Sequence, residues 1–230
     1  MLQNGQTEPK LQFWVTRSCM CIQRKAKFVC SRKHKKRKHR KGETTQTYCD
    51  DIFTFDIETT SGWINEHGNI IGYRKGESNE YWNSLEPLSL CYIWQFSFNN
   101  IVYYGREIKD FEMVLQDLPS DVRFIIWVHN LAYEFAFFRR LFQWEKVFSL
   151  TKRKPLYALT TSPPEFRCSY RLSGYKLEKV GEQVGIQKLT EDFDYNKIRH
   201  YKTPLTKKEI GYCIHDVKIV TAYIKQKIEE

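Results

Sequence analysis

Three short stretches place acids and a phenol in an order that suits phosphodiester hydrolysis. They are Phe55-Asp56-Ile57-Glu58-Thr59, Asn130-Leu131-Ala132-Tyr133-Glu134 and Tyr212-Cys213-Ile214-His215-Asp216. Cleaving a phosphodiester with water needs a deprotonated nucleophile and a stabilised leaving oxyanion. Two divalent ions roughly 3.5–4 Å apart supply both. Hard, octahedral Mg²⁺ or Mn²⁺ takes carboxylate oxygens. Asp56 and Glu58 lie two residues apart in an apolar run, so a strand puts both on one face. There they can hold one ion and bridge to a second. Asp216 would arrive from the last helix and Glu134 from a middle one. Tyr212 stands one helical turn before Asp216, where its hydroxyl can orient the attacking water. One Asp-x-Glu at a strand end is usually only solvated; four carboxylates and a tyrosine in this order are uncommon.

The elements that must hold these groups are readable from periodicity. In 51–58, Phe53, Phe55 and Ile57 share one strand face, and Ile52, Thr54, Asp56 and Glu58 the other. Residues 61–87 are polar and Gly/Asn/Glu-rich, which predicts a long loop or insertion. Residues 88–98 and 101–105 predict a hairpin about Asn99-Asn100. A helix is expected over 109–118, stopped by Pro119, and a buried strand over 123–128. Residues 131–142 predict a helix with Leu131, Phe135, Phe138 and Phe142 as its apolar stripe. A second hairpin is expected over 156–160 and 165–170, and a short helix over 176–184 closed by Gly185. Trp127 and Phe138 read as core. The last helix is the clearest: Thr206-Lys207-Lys208-Glu209 is a capping box just after Pro204. Its stripe is Ile210, Cys213, Ile214, Val217, Val220, Ile224 and Ile228, with Tyr212 and Asp216 on a different face that can look into a cleft.

The chain has 230 residues, 41% of them hydrophobic, enough for one good-sized packed domain. Its net charge of +10 is not evenly spread. Residues 1–50 hold 13 Lys/Arg against Glu8, Glu43 and Asp50, so they carry all of it and the remainder is neutral. The run Arg32 to Lys41 is basic or His throughout. Such a run repels itself and builds no core, so 1–47 is expected to be a basic, disordered arm able to touch phosphates, with the folded domain over 48–230. The seven cysteines are odd in number and irregular in spacing, and no signal peptide stands at the start. They predict reduced thiols in an intracellular protein. The spacing of Cys19, Cys21, Cys30 and His34 is not that of a closed zinc site. No apolar run is long enough to cross a membrane.

The three motifs resemble the exonuclease motifs of family B DNA polymerases, within the DEDD exonuclease superfamily with a tyrosine-type third motif. The likeness is closest to the protein-primed enzymes of phages and linear plasmids. Phe55 to Thr60 resembles their first motif. His129-Asn130-Leu131-Ala132-Tyr133-Glu134 resembles a His-Asn-Leu-x-(Phe/Tyr)-Asp second motif. Tyr212 to Asp216 with Val217-Lys218-Ile219-Val220 resembles the third. Ser169-Tyr170-Arg171-Leu172 with Lys176 to Val180, and Asp192-Phe193-Asp194-Tyr195, resemble two further segments.

The resemblance covers about 50–228. It implies an α/β, RNase H-like fold with a mixed central sheet and flanking helices. It implies two divalent metal ions, Mg²⁺ or Mn²⁺, with Asp56, Glu58, Glu134 and Asp216 as ligands and Tyr212 orienting the nucleophile. Thr59, Asn130, Tyr133, Ser169 and Tyr195 would hold a single-stranded DNA 3′ end. Partners implied are a separate polymerase domain and a priming protein, in the cytoplasm of a bacterial cell or phage-infected host. The activity implied is 3′→5′ proofreading. A free-standing exonuclease on RNA or oligonucleotides, or an inactive DNA-binding module, are the alternatives.

The sequence departs from the pattern in places. Glu134 stands for Asp, and Cys168 stands where an acid is usual. The family's catalytic lysine precedes the Asp-x-Asp-Tyr segment; Thr190 holds the nearest equivalent place and Lys188 lies two residues earlier, so neither is assigned. No palm motif follows before Glu230, so the chain is expected to be a fragment, a split-gene product or a free-standing nuclease, without synthetic activity of its own.

Overall fold

The computed structural model describes residues 10–13, 33–36, 46–98, 101–189 and 193–230. In chain order the strands are β1 (Lys10–Phe13), β2 (Lys33–Lys36), β3 (Gln46–Cys49), β4 (Phe53–Ile64), β5 (Ile70–Ile71), β6 (Glu86–Phe98), β7 (Ile101–Gly105), β8 (Phe124–Val128), β9 (Trp144–Thr151), β10 (Lys154–Thr160) and β11 (Pro164–Cys168). The helices are α1 (Asn79–Asn83), α2 (Ile108–Gln116), α3 (Leu131–Phe138), α4 (Ser169–Ser173), α5 (Leu177–Gln183) and α6 (Lys207–Glu229).

The main sheet runs β1-β7-β6-β4-β8-β11-β10-β9, with β5 on the far end of β4. It is mixed: β4–β8, β8–β11 and β1–β7 are parallel, and the other pairs antiparallel. The alternation in β4 decides its two faces. Phe53 and Phe55 turn to one side. There Phe53 stacks on Phe98 at 4.7 Å, and Phe55 meets Phe111 of α2 at 4.0 Å and Phe138 of α3 edge-on at 5.6 Å. Phe55 is fully buried, and truncating such a residue costs about 3–5 kcal/mol. Thr54 turns to the other side, under α6, and its hydroxyl bonds the Val217 carbonyl at 3.3 Å and Thr221 Oγ1 at 3.0 Å. Helices therefore cover the sheet from both faces, as a strand this apolar requires.

Several expectations need correction. The predicted loop at 61–87 is partly ordered. β4 continues to Ile64, paired with the start of β6, and α1 packs Trp82 against Trp63 at 4.3 Å. α3 ends at Phe138 rather than 142, because the Trp144 indole donates to the Arg139 carbonyl at 2.7 Å and closes the turn; Phe142 still packs on the core. β9 has no counterpart among the expected elements. Segment 165–170 is strand only to Cys168, after which α4 begins. Trp127 is only half-buried, whereas Phe138 is core as expected.

In the basic segment, Lys33–Lys36 forms a strand antiparallel to Gln46–Cys49, contrary to the expected disorder there. The hairpin joins the sheet at Tyr48, bridged to Arg123 before β8. Cys49 is disulfide-bonded, against the expectation of reduced thiols, while Cys91, Cys168 and Cys213 are free. Cys19, Cys21, Cys30, His39, Asn99-Asn100, Thr190 and Asp192 lie outside the described residues. No described helix is long and apolar enough to cross a membrane.

Candidate metal centre

Strand alternation delivers Asp56 and Glu58 to the α6 side of β4. α6 delivers Asp216 from above. Its register is fixed at the N-terminus by the predicted capping box: Glu209 N–H donates to Thr206 Oγ1 at 3.1 Å, and Thr206 N–H to Glu209 Oε2 at 2.8 Å. Buried Arg199 strengthens this latch. Its guanidinium donates to Glu209 Oε1 at 2.8 and 3.0 Å, and its backbone N–H to Thr60 Oγ1 at 3.0 Å. The result is that one carboxylate oxygen from each of Asp56, Glu58 and Asp216 lies within 4.8 Å of the others.

Glu134 reaches the same place by a different device. β8 ends at Val128, and after His129 the next residue, Asn130, takes a left-handed conformation at φ 72°, which Asn tolerates better than most residues. The chain turns there directly into α3, with Glu134 in its first turn and buried. Glu134 stands outside the three-residue group, yet its charge is felt at Asp56.

Burial, then Glu58, Asp216 and Glu134, push the Asp56 carboxyl well above the usual range, against the pull of Lys188. Burial, then Asp216, push Glu58 up to about 8. Burial also raises Glu134 and Asp216. Glu134 Oε2 and Asp216 Oδ1 are buried without a hydrogen-bond partner. Four crowded carboxylates with two orphaned oxygens are a poor arrangement for protons and water alone. They fit a hard divalent cation, which takes oxygen donors and removes the repulsion.

Lys188 is a part of the site that sequence reasoning left unassigned. Its Nζ lies 2.8 Å from Asp216 Oδ2. The chain brings it there through a turn at the end of α5: Ile186 N–H bonds the Gly181 carbonyl at 2.8 Å and Gly185 N–H the Glu182 carbonyl at 3.2 Å. Gly185 sits at φ 70°, and a Cβ on Gly181 would meet the Ile186 carbonyl oxygen at 2.4 Å. Both positions need glycine for this Schellman-type reversal. The predicted closure at Gly185 was the available signal.

The remaining candidates separate. Tyr212 is buried, stacks on Phe193 at 4.3 Å and shares a hydroxyl hydrogen bond with Tyr195, which is 64% exposed. Thr59 Oγ1 is bonded to the Tyr133 hydroxyl, and Tyr133 remains open to solvent. Asn130 is exposed. Ser169 is fully buried: its hydroxyl lies 3.1 Å from His129 Nδ1 and 3.4 Å from the Val128 carbonyl, so its contacts are internal. A cavity of about 550 Å³ is lined by Lys188, Phe193, Lys197, Arg199, Glu209 and Tyr212, and reaches the acids only through Lys188, the partner of Asp216.

No protein-family model matches the chain, and no curated protein sequence matches it. Solved structures do. Phi29 DNA polymerase complexed with primer-template DNA and incoming nucleotide substrates superposes with a TM-score of 0.55 at 13% identity, over 78% of this chain and 31% of that one. The same polymerase complexed with single-stranded DNA gives 0.54 at 12% identity, over the same shares. At such identities the likeness is one of fold: a mixed α/β architecture related to part of that polymerase. The chain spans about a third of the polymerase's length.

Proposed function

We propose that this chain is a metal-dependent 3′→5′ exonuclease acting on single-stranded DNA ends, with an RNase H-like fold of the DEDD type. One observation carries the reading: Asp56, Glu58 and Asp216 converge within 4.8 Å, with an orphaned oxygen left on Asp216. Mg²⁺ or Mn²⁺ bound there would supply an activated water and charge stabilisation for the leaving oxygen. Asp56, Glu58 and Asp216 would hold the cation, and Glu134 would complete the acidic wall. Lys188 holds Asp216 in place and offsets part of the negative charge. Tyr212, braced by Phe193 and Tyr195, presents a hydroxyl for orienting the water. Tyr133, tied to Thr59, offers a ring on which a terminal base can stack whatever its identity, as proofreading requires. Asn130, exposed four residues before Glu134, is a further candidate to hold the strand end.

The biological setting that fits is proofreading beside a family B, protein-primed type of polymerase domain and its priming protein. The test is mononucleotide release from single-stranded DNA and RNA of matched sequence. The reading expects metal-dependent release from DNA, faster than from RNA. Preferential release from RNA favours a free-standing ribonuclease, and no release from either favours a binding module.

A further inference from the structure

We propose that the outer half of the main sheet, on the face that carries Asp56, is a second binding surface for single-stranded nucleic acid, separate from the metal centre. Strand register lines up one row of side chains on this face. Thr54 of β4 is opposite Trp127 of β8, Trp127 opposite Arg167 of β11, Arg167 opposite Tyr157 of β10, and Tyr157 opposite Phe148 of β9. The side chains follow the register. Arg167 lies over the Trp127 ring at 5.9 Å, Phe148 stacks on Tyr157 at 5.4 Å, and Lys146 lies over Tyr157 at 5.8 Å. The row starts beneath α6 at Thr54, two residues from Asp56, and ends four strand spacings away, roughly 19 Å. Outward from Trp127 it opens to solvent: Phe148 is 40% exposed and Leu150 71%.

Charge chooses the ligand. The β9–β10 turn and the start of β10 carry exposed Lys152, Arg153 and Lys154, and exposed Lys146 stands towards the other end of β9, opposite Leu159. Among the described residues none of these four has a carboxylate within ion-pair distance. The neighbouring acids are already engaged: Glu145 with Arg123 at 2.9 Å, and Glu165 with Arg167 at 2.7 Å and the Tyr48 hydroxyl at 3.1 Å. Aromatic faces flanked by unpaired cations on an open sheet fit bases and phosphates together. A protein partner would instead use the outer edge of β9, which pairs with no further strand among the described residues. The choice of a nucleic acid rests on the nuclease reading; the surface itself does not.

The experiment uses the full chain in EDTA, so that nothing is cleaved, with 5′-fluorescein oligothymidylates of four and twenty nucleotides. Two variants, Phe148→Ser and the triple Lys152→Ala/Arg153→Ala/Lys154→Ala, change only exposed positions outside the cleft. Fluorescence anisotropy should show each variant binding the 20-mer at least about ten-fold more weakly, with the 4-mer changed by less than about two-fold. Near-UV circular dichroism confirms that both remain folded. Unchanged 20-mer affinity in both variants overturns the proposal. So does a wild-type chain that does not bind the 20-mer. Sedimentation supplies the other account: a wild-type dimer that the variants dissociate, with 20-mer affinity unchanged, makes this face a contact between copies. Failure of the nuclease reading gives a different result, absence of cleavage when Mg²⁺ is restored while the 20-mer contrast persists.

Discussion

Lys188 Nζ lies 2.8 Å from Asp216 Oδ2, while the other oxygen of Asp216 is buried and unpartnered. The lysine thus fixes one end of the carboxylate and leaves the other for a cation. Supporting groups of this kind typically contribute 10–100-fold to metal affinity or activity. Lys188→Ala should lower the single-turnover hydrolysis rate by about that factor, and Lys188→Arg should restore part of it. A wild-type rate in Lys188→Ala would remove the lysine from the account.

Glu134, proposed for the acid place of the second motif, stands outside the group that Asp56, Glu58 and Asp216 form. Its burial and its orphaned Oε2 argue that it faces a cation when one is bound. Glu134→Asp should keep or raise activity, and Glu134→Ala should nearly abolish it. The check is the Mn²⁺-dependent rate on a labelled single strand. Normal cleavage by Glu134→Ala means that another group serves.

The α6 latch makes a pH prediction. Burial opposes ionisation of Glu209, but the Thr206 backbone N–H, then Arg199, Lys197 and the Thr206 hydroxyl, outweigh it and hold the carboxyl down at about 2. An unfolded glutamate titrates at about 4.3. Because the folded value is the lower one, the stabilisation is complete above about pH 5 and is lost as pH falls towards 2. Its size is about 3 kcal/mol, and by pH 3 less than half remains. Glu209→Gln should therefore be much less stable than wild type at pH 7 and closer to it at pH 3, by urea unfolding. A pH-independent gap contradicts the latch.

The basic segment carries the net charge, yet the strand Lys33–Lys36 joins the sheet through the Tyr48–Arg123 bridge, at the N-terminal end of β8. Asn130 and Glu134 follow the opposite end of that strand. The segment should then add capture rather than chemistry. Replacing Lys35, Lys36, Arg37 and Lys38 with Gln should flatten the salt dependence of DNA affinity, by about 0.7 in slope for each phosphate that the segment no longer neutralises. kcat should change by no more than a few-fold. Equal slopes would mean that these residues do not touch DNA.

Much of the site was legible because it rests on local periods. The alternation of Phe53 to Glu58 and the Thr206/Glu209 box are written in neighbouring residues, and both hold. Lys188 was not legible, since 28 residues separate it from Asp216 and only the Gly185 reversal joins them. The role of Arg199 is not legible either, since it ties Glu209 to Thr60, 139 residues away from it in sequence. β4 beyond Thr60 is not legible because Ser61 and Gly62 are weak strand formers and the stretch after Ile64 is polar; pairing with β6 overrides that preference. β9 escaped notice because seven of its eight residues are exposed, so no buried face marks it.

The measurement that bears most directly on the central claim is the degradation of a 5′-labelled single strand by wild type and by Asp56→Ala, with Mg²⁺, with Mn²⁺ and with EDTA. The wild type should shorten the strand stepwise from its 3′ end only when metal is present. Asp56→Ala should be slower by at least about 10³-fold, because it removes a ligand shared by the whole cluster. Wild-type-like shortening by Asp56→Ala, or shortening that EDTA does not stop, would contradict it.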